Sequence, residues 1–391
     1  MSVAGGLVRD GSVPGDRASS PGSAPIPRGL RGLGSGMGKK ERWNGRFWFL
    51  TMLAIGLAGG CGDAPAPKGP SEGHKSIRLA LGTVVTISTW GLEPTREEAA
   101  VERAFAEIER IEAMMSPNRS ESELSRINDA PRGQWLQASP ELVDLLGRAL
   151  EIQRLSGGAF HPGLLPLVRL WGFSREPAPR EPPSPESIDR WRRLADSGDG
   201  ILIDAAAGRV QLTNAAFGLD LGAIAKGYAI DQAVAVLRRE GVDNAIVSGG
   251  GDLRLIGAKG REPWVIGLRH PREEGGVIRV SRLSGDRAMM TSGDYERFFM
   301  HAGVRFHHIL DPATGYPSVS GVISVSVQAT DSTLGDALST AIFVLGRERG
   351  IRLLEHFPGC EALIIEEGMK IWQSAGFVAA PHLTESIGVT D

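Results

Sequence analysis

The chain has 391 residues, enough for two ordinary domains or one large one, and its composition is that of a globular protein. Its formal charge of −3 is unevenly distributed: residues 1–60 hold 8 basic and 3 acidic side chains, and residues 61–391 hold 35 basic and 43 acidic ones. This acidic balance argues against nucleic acid as a partner, because a nucleic-acid-binding surface is basic. The two cysteines, Cys61 and Cys360, are too few for a disulfide framework.

The N-terminal region is predicted to lie outside the fold. Residues 1–36 are rich in Gly, Ser, Pro and Arg and lack periodicity, which indicates an extension ahead of the true start at Met37. Residues 37–60 then combine a basic segment, a short apolar segment and two glycines, a pattern that resembles a bacterial lipoprotein signal with Cys61 as the lipidated residue. A cleaved signal without lipidation is the alternative.

The apolar part of this segment, Phe47 to Ala58, is too short to span a bilayer core of about 30 Å. Residues 61–76 are rich in Pro and Gly and are predicted to form a tether. If Cys61 is modified, Cys360 has no partner, and we expect it to be a buried apolar thiol.

From Ile77 onward, stretches typical of strands and of helices follow one another without internal repeats. Strands are predicted over 77–89, 244–257, 262–271 and 321–329, a hairpin over 200–213 turning near Gly208, and helices over 95–115, 139–156, from just after Asp220, and 334–346. A proline-rich surface insertion is predicted at 175–186. Because most strands abut one another in sequence, the pattern favours an α+β fold over a doubly wound sheet.

The segment "FGLDLGAIAKGYAIDQA" places two charged residues at the start of an otherwise apolar helix. Asp220 either caps free N–H groups there or belongs to a functional site, and the segment alone does not decide between the two. Lys226 either extends its ammonium to solvent or reaches an anion such as a phosphate near the helix N-terminus.

Two glycine-containing motifs follow on predicted strands. "SGGGDL" lets backbone approach a ligand or another strand, but it is not a P-loop because no Gly-Lys-Ser/Thr follows. "TSGDY" indicates a turn formed by Ser292, Gly293, Asp294 and Tyr295.

Two further motifs carry groups suited to proton transfer or cation binding. In "HHILDP", His307 and His308 would point to opposite faces of a strand, so at most one of them should face a site. In "LGDALSTAIF", Asp336 and Thr340 are four residues apart on one helical face, and both offer the oxygen ligands that Mg²⁺ prefers. Each motif taken alone is equally consistent with a structural role.

Taken together and in this order, the motifs resemble the FAD:protein FMN transferase (ApbE) family, from about Leu81 to about Gly346. The motifs that carry the resemblance are "LGTVVTI", "MSPNRSESELSRIN", "FHPGLLPLVRLWGF", "LDLGAIAKGYAID", "IVSGGGDL", "TSGDY", "HHILDPATGYP" and "GDALSTAIFVLG". The resemblance implies an α+β fold of mixed, T-fold-related sheets with packed helices and a flavin cleft, in a single catalytic unit over residues 77–391.

The resemblance also implies an activity: Mg²⁺-dependent transfer of FMN from FAD to a Ser or Thr hydroxyl of an acceptor redox protein, with release of AMP. It further implies which residues act. FAD would contact Asp220 and Lys226, with Leu81, Asn118, Gly158, Ala159, Phe160 and Ile309 around the flavin. Mg²⁺ would be bound by the carbonyl of Ala223 and the side chains of Asp336 and Thr340. His308 would deprotonate the acceptor hydroxyl, with Asp294 nearby.

Two positions depart from the family pattern. Asn118 stands where relatives commonly have a tyrosine that stacks on flavin, and His161 replaces the usual aspartate. Altered flavin affinity or substrate preference is therefore expected. The alternatives to transfer are hydrolysis of FAD to FMN and AMP, or binding of FAD without turnover. Many members of the family are exported lipoproteins, so the expected location is the periplasmic side of a bacterial membrane.

Overall fold

The computed structural model describes residues 73–174, 181–196 and 200–381. The predicted extension, the signal and Cys61 lie outside these residues, as does part of the proline-rich insertion. The first strand begins at His74, three residues ahead of the predicted domain start at Ile77. Among the described residues, no helix is both long and apolar enough to cross a bilayer.

Sixteen strands and eight α-helices form within the described ranges. The strands are β1 (His74–Ala80), β2 (Thr83–Trp90), β3 (Trp135–Gln137), β4 (Ile201–Asp204), β5 (Arg209–Leu212), β6 (Asn244–Gly249), β7 (Asp252–Ile256), β8 (Trp264–Arg269), β9 (Val277–Leu283), β10 (Arg287–Gly293), β11 (Phe298–His301), β12 (Val304–His307), β13 (Val322–Ala329), β14 (Glu361–Glu366), β15 (Lys370–Gln373) and β16 (Ala380–Pro381). The helices are α1 (Pro94–Met115), α2 (Glu123–Asp129), α3 (Pro140–Leu155), α4 (Leu165–Trp171), α5 (Pro185–Ala195), α6 (Ala225–Arg239), α7 (Ser332–Leu345) and α8 (Arg347–Leu354).

The centre of the fold is a sheet of eight strands in the order β1-β2-β6-β7-β10-β13-β14-β15. All of its neighbouring strands are antiparallel. Helices α1, α6 and α7 pack on one face, where Val85 and Ile87 of β2 meet Phe105 and Ile108 of α1 in a buried cluster. The smaller sheet β16-β9-β8 covers part of the other face, mainly through Trp264 and Leu283. The predicted α+β class is confirmed.

Several predicted elements form where expected. Helix α1 matches the prediction to within one residue, and α3 begins after Ser139, whose Oγ accepts the Leu142 N–H at 3.2 Å. The 200–213 hairpin is also present as β4 and β5, and Gly208 lies in its turn with φ of +61°.

The predicted strand over 77–89 is instead a hairpin of two strands. Leu81 and Gly82 both have positive φ, +55° and +69°, and this two-residue turn brings Ala80 opposite Thr83. The alternation of apolar side chains continues through both strands, so periodicity alone did not reveal the turn.

The helix predicted from just after Asp220 begins only at Ala225, so the capping role considered for Asp220 is wrong. Its Oδ1 accepts the N–H of Gly222 at 2.9 Å, a local turn ahead of the helix, which has no side-chain cap. The turn predicted at "TSGDY" starts later than expected, because Ser292 and Gly293 are the last two residues of β10.

Candidate functional site

Helices α6 and α7 meet closely at their N-terminal ends, where Lys226 and Asp336 face each other. Lys226 Nζ lies 3.2 Å from Asp336 Oδ1, and the Gly227 N–H donates to Asp336 Oδ2 at 3.0 Å. A Cβ at Gly227 would overlap the backbone carbonyl of Ser332, so only glycine permits this approach. Lys226 therefore faces a carboxylate instead of solvent.

A second carboxylate, Asp252, pairs with the same ammonium through Oδ2, and its Oδ1 accepts the Thr291 N–H at 2.6 Å. Asp252 is the first residue of β7, immediately after a turn in which Gly250 and Gly251 have φ of +63° and +98°. The glycines of "SGGGDL" predicted a close approach of backbone, and Asp252 was not among the predicted site residues. An acidic residue directly after a glycine turn was the available signal.

Three hydroxyl groups contact one another on α7 and at the end of β10, next to Asp336 along the helix. Ser292 Oγ, at the end of β10, lies 3.1 Å from Thr340 Oγ1 and 2.8 Å from Ser339 Oγ, and Ser339 Oγ donates to the Asp336 carbonyl at 2.9 Å. The predicted pair Asp336 and Thr340 thus lies on one face of α7 within a network of oxygen atoms. Ser292 and Ser339 join that network although the sequence pointed to neither as a ligand.

The donor chemistry of this cluster suits a hard cation. The described residues contain no group of three or more His, Cys, Asp or Glu side chains placed to hold a metal ion. Asp336, Thr340 and neighbouring hydroxyls instead offer carboxylate and hydroxyl oxygens, the ligands that Mg²⁺ takes with substrate phosphates. The two buried carboxylates, Asp252 and Asp336, share one ammonium, so their excess negative charge also favours a cation.

The two adjacent histidines have different surroundings, as the strand geometry predicts. His307 is buried: its Nε2 lies 3.1 Å from the Ser318 carbonyl, and its Nδ1 accepts the Ile309 N–H at 3.3 Å. Burial lowers the pKa of His307 to about 4. Both ring nitrogens are occupied, so His307 has a structural role.

His308 follows the end of β12, and its Nδ1 contacts the Arg297 carbonyl at 3.2 Å. Because a carbonyl only accepts, Nδ1 carries the proton and Nε2 keeps a lone pair. His308 is half-buried, and desolvation of its ring, reinforced by the charge of Arg297, lowers its pKa well below the ordinary value; the charge of Lys226 acts in the same direction. A neutral imidazole within the field of Lys226 suits a general base.

Asp294 is buried beside this region and is held by two arginines. Arg272 donates to both of its carboxylate oxygens at 2.7 Å, and Arg305 Nη1 lies 3.5 Å from Oδ1. A carboxylate held in this way is an electrostatic and positional group, because both oxygens already accept strong hydrogen bonds.

The residues predicted around the flavin are partly brought together. Ile309 and Phe160 belong to the largest apolar cluster of the core, and Leu81 packs against that cluster. Ala223, which was predicted as a Mg²⁺ ligand through its carbonyl, packs against the same cluster. Gly158, with φ of +86°, and buried Ala159 lie in the loop between α3 and α4.

The two positions at which the sequence departs from the family pattern stand apart from that cluster. Asn118 is exposed in the turn after α1, where its N–H donates to Ser116 Oγ at 3.3 Å. His161 stacks on Phe217 at 4.8 Å between ring centroids, and burial lowers its pKa to about 4. His161 therefore adds no charge at neutral pH.

Two surface grooves lie away from the Lys226 and Asp336 cluster. One of about 610 Å³ runs between α3 and the turn joining β4 to β5. The other, of about 530 Å³, is lined in part by Gly158, His161 and Phe217. The second groove connects with the predicted flavin-binding region, whereas the first contains none of the predicted site residues.

Comparison with known proteins identifies the family. Residues 81–364, more than two thirds of the chain, match the model described as the ApbE family. The chain belongs to the ApbE family. It is 36% identical over 347 residues to the FAD:protein FMN transferase of Treponema pallidum, covering 85% of this chain and 94% of that protein. It is 33% identical over 280 residues to a Klebsiella pneumoniae protein of the same name, covering 71% and 85%.

Solved structures agree with this assignment. The ApbE protein of Thermotoga maritima superposes with a TM-score of 0.71 and 38% identity, covering 78% of this chain and 97% of that one. The flavin transferase ApbE of Vibrio cholerae gives a TM-score of 0.69 at 28% identity, covering 78% and 98%. The resemblance and the fold predicted from the sequence are therefore confirmed.

Within this ApbE-family fold, helices α6 and α7 and strands β7 and β10 supply one ammonium, two carboxylates and three hydroxyls, with a neutral histidine in the field of the ammonium. This set can neutralise a phosphate, hold a cation and accept a proton, which are the requirements of phosphoryl-type transfer. The individual roles predicted from the resemblance stay predictions.

Proposed function

We propose that this chain is an FAD:protein FMN transferase, which moves FMN from FAD to a Ser or Thr hydroxyl of a target protein and releases AMP. The observation that carries the proposal is the 36% identity with a protein of that name across 94% of that protein's length. Almost the whole length of that relative therefore has a counterpart in this chain.

The bond changes follow from the overall reaction. The acceptor hydroxyl oxygen forms a bond to the phosphorus of the FMN half of FAD, the pyrophosphate P–O bond to AMP breaks, and the hydroxyl proton passes to His308 Nε2. Lys226 stabilises negative charge on the phosphates, and Asp294, held by Arg272, fixes the surrounding loop. Such transfer depends on positioning and charge neutralisation more than on covalent catalysis.

Magnesium is part of the proposal. Asp336, Thr340 and the backbone carbonyl of Ala223 would hold it. When bound, Mg²⁺ supplies Lewis-acid stabilisation of the pyrophosphate and AMP oxygens. Asp336→Ala should abolish Mg²⁺-dependent turnover while exposed Glu348→Ala leaves it unchanged, and full activity in Asp336→Ala would refute the metal assignment.

The direct test uses the envelope fraction of cells that lack this protein as the source of acceptors. We expect the purified chain, FAD and Mg²⁺, added together to this fraction, to produce a band with flavin fluorescence in a denaturing gel. Omission of any one of the three should abolish the band. AMP released without labelling would indicate FAD hydrolysis instead. Bound FAD with neither AMP nor label would indicate a binding protein.

The acceptor and the location follow from the N-terminal prediction. We propose that Cys61 carries lipid and tethers the enzyme to a bacterial membrane on its periplasmic side, where it modifies an exported or membrane redox protein. Cys61→Ser should release the protein from membranes and abolish incorporation of radiolabelled palmitate. Retention of both properties in the Cys61→Ser variant would refute the anchor.

A further inference from the structure

Two nearly buried carboxylates contact the ammonium of Lys226, but the proposed mechanism uses only one of them. Asp252 Oδ2 pairs with Nζ, and Asp336 Oδ1 lies 3.2 Å from it. The Asp252 side chain is 2% exposed and the Asp336 side chain 6%, so water screens neither charge effectively.

We propose that Asp252 is a positioning residue: it holds Lys226 and so keeps the ammonium from occupying the cation-binding carboxylate of Asp336. The inference rests on the proposed function, because it takes Asp336 to be the cation ligand.

The position of Asp252 is fixed independently of Lys226. It begins β7, and its Oδ1 accepts the Thr291 N–H of the neighbouring strand β10 at 2.6 Å. Lys226, by contrast, reaches both carboxylates through a flexible four-carbon side chain. The ammonium can therefore shift its contact entirely to Asp252 when a cation approaches Asp336.

The charges around Lys226 favour this exchange. Asp252, Asp336 and Lys226 together carry one uncompensated negative charge. The arginine two positions further along β7 is already engaged, because Arg254 contacts Asp231 and Asp286. Without Asp252, Lys226 would pair with Asp336 alone, and an incoming cation would have to displace it.

The test measures cation binding directly, without FAD or acceptor. The chain from residue 61, carrying Cys61→Ser, is titrated with Mn²⁺, and free Mn²⁺ is followed by its EPR signal. We compare this parent with Asp252→Asn, Lys226→Met and the double variant. Asp286→Asn is the matched control, because Asp286 pairs only with arginines outside the site among its described contacts.

Asp252→Asn should weaken Mn²⁺ binding by about tenfold, within the range of coupling between residues in contact. Lys226→Met should strengthen it, and in the Lys226→Met background Asp252→Asn should change it by no more than about twofold. Asp286→Asn should match the parent.

The inference would be overturned if Asp252→Asn weakened Mn²⁺ binding equally in the parent and in the Lys226→Met variant. Equal weakening would mean that the charge of Asp252 attracts the cation directly, without acting through Lys226. Weaker Mn²⁺ binding in Lys226→Met than in the parent would also overturn it. Because Lys226→Met leaves Asp252 unchanged, this result can be obtained even if Asp252→Asn does not fold. The flavin-labelling assay on the parent separates the two proposals. If the acceptor is labelled but the effect of Asp252→Asn on Mn²⁺ binding does not depend on Lys226, only the role of Asp252 is refuted. If the acceptor is not labelled, the proposed function is refuted.

Discussion

The protonation of the two adjacent histidines decides which one can act as a base. Both ring nitrogens of His307 have backbone partners, whereas within the described part of the chain His308 uses only Nδ1, which leaves Nε2 available. Desolvation keeps His308 neutral at neutral pH. Residue identity alone cannot distinguish them, because the difference lies in backbone groups contributed by Arg297, Ser318 and Ile309.

His308→Ala should abolish flavin labelling of the acceptor and leave FAD binding nearly intact, because the side chain accepts a proton without contributing most of the binding energy. Labelling is read by in-gel fluorescence and FAD binding by quenching of flavin fluorescence. The control is His356→Ala, an exposed histidine after α8. Equal loss of labelling and FAD binding in His308→Ala would refute its assignment as the base.

The site residues were predictable to different degrees. Lys226, Asp336 and Thr340 stand out because charged or polar side chains interrupt apolar helices. Asp252 did not stand out, because its role depends on pairing between distant strands and on a lysine 26 residues earlier. Side-chain patterns predict which face of a helix a residue occupies, but not which other element that face meets.

At the scale of elements, the contact between α6 and α7 positions the candidate site. Asp231 of α6 accepts the N–H groups of Ser332 and Thr333 at 3.0 and 2.9 Å and the Thr333 hydroxyl at 2.6 Å. It also pairs with Arg254 at 2.5 Å. One buried carboxylate thus ties the first turn of α7 to α6 and fixes Asp336 relative to Lys226.

Asp231→Ala should lower the free energy of unfolding by about 3 kcal/mol, because it leaves two buried backbone donors and the Thr333 hydroxyl without their acceptor and removes one of the two carboxylates that pair with Arg254. Urea denaturation followed by circular dichroism measures the change. Asp204→Ala, at the end of β4 where its carboxylate pairs with partly exposed Arg209, is the control and should cost less than about 1 kcal/mol. A cost for Asp231→Ala no larger than that of the control would contradict this role.

Two glycine-to-alanine substitutions distinguish the effect of the close contact between α6 and α7 from the effect of helix propensity. Gly227→Ala places a Cβ against the Ser332 carbonyl and should destabilise the fold by about 1–3 kcal/mol. Gly147→Ala, in α3 with open space around it, should stabilise it by about 0.5–1 kcal/mol through helix propensity. The difference in melting temperature between the two variants checks this, and stabilisation by Gly227→Ala would show that α6 and α7 are not in close contact.

Helices and strands were predicted correctly where neighbouring residues in the sequence determine them, and incorrectly where the backbone conformation departs from what those residues usually adopt. Helices α1 and α3 have an amphipathic period and a proline at their first turn, and both form at the predicted positions. The start of α6 was placed too early, because Asp220 has the side chain of a cap but bonds to Gly222 in a separate turn. The hairpin at Leu81 was missed because a leucine rarely adopts the positive φ found there.

At the scale of the whole molecule, acid stability should reflect histidines that are held neutral in the folded protein, among them half-buried His161 and buried His307. His161 and His307 both have pKa values lowered from 6.5 to about 4 by burial. The unfolded chain therefore binds more protons than the folded one between these values, and the free energy of unfolding falls as pH drops from about 6.5 toward 4.

Each of these histidines should contribute a loss of roughly 3 kcal/mol across that range. His161→Asn should consequently flatten the decline, measured as melting temperature against pH, while exposed His356→Asn should retain the parental slope. An unchanged slope in His161→Asn would contradict the neutral, half-buried state of His161.

The central claim is that FMN from FAD ends on a protein hydroxyl and AMP leaves. The measurement that tests it most directly is the ratio of AMP released to flavin covalently bound, determined by chromatography and intact-protein mass spectrometry on the same reaction with FAD, Mg²⁺ and acceptor. We expect one AMP to be released for each acceptor molecule that is labelled on a Ser or Thr, and the mass of the acceptor to increase by that of one FMN less one water. AMP accumulating without any mass increase on the acceptor would contradict it.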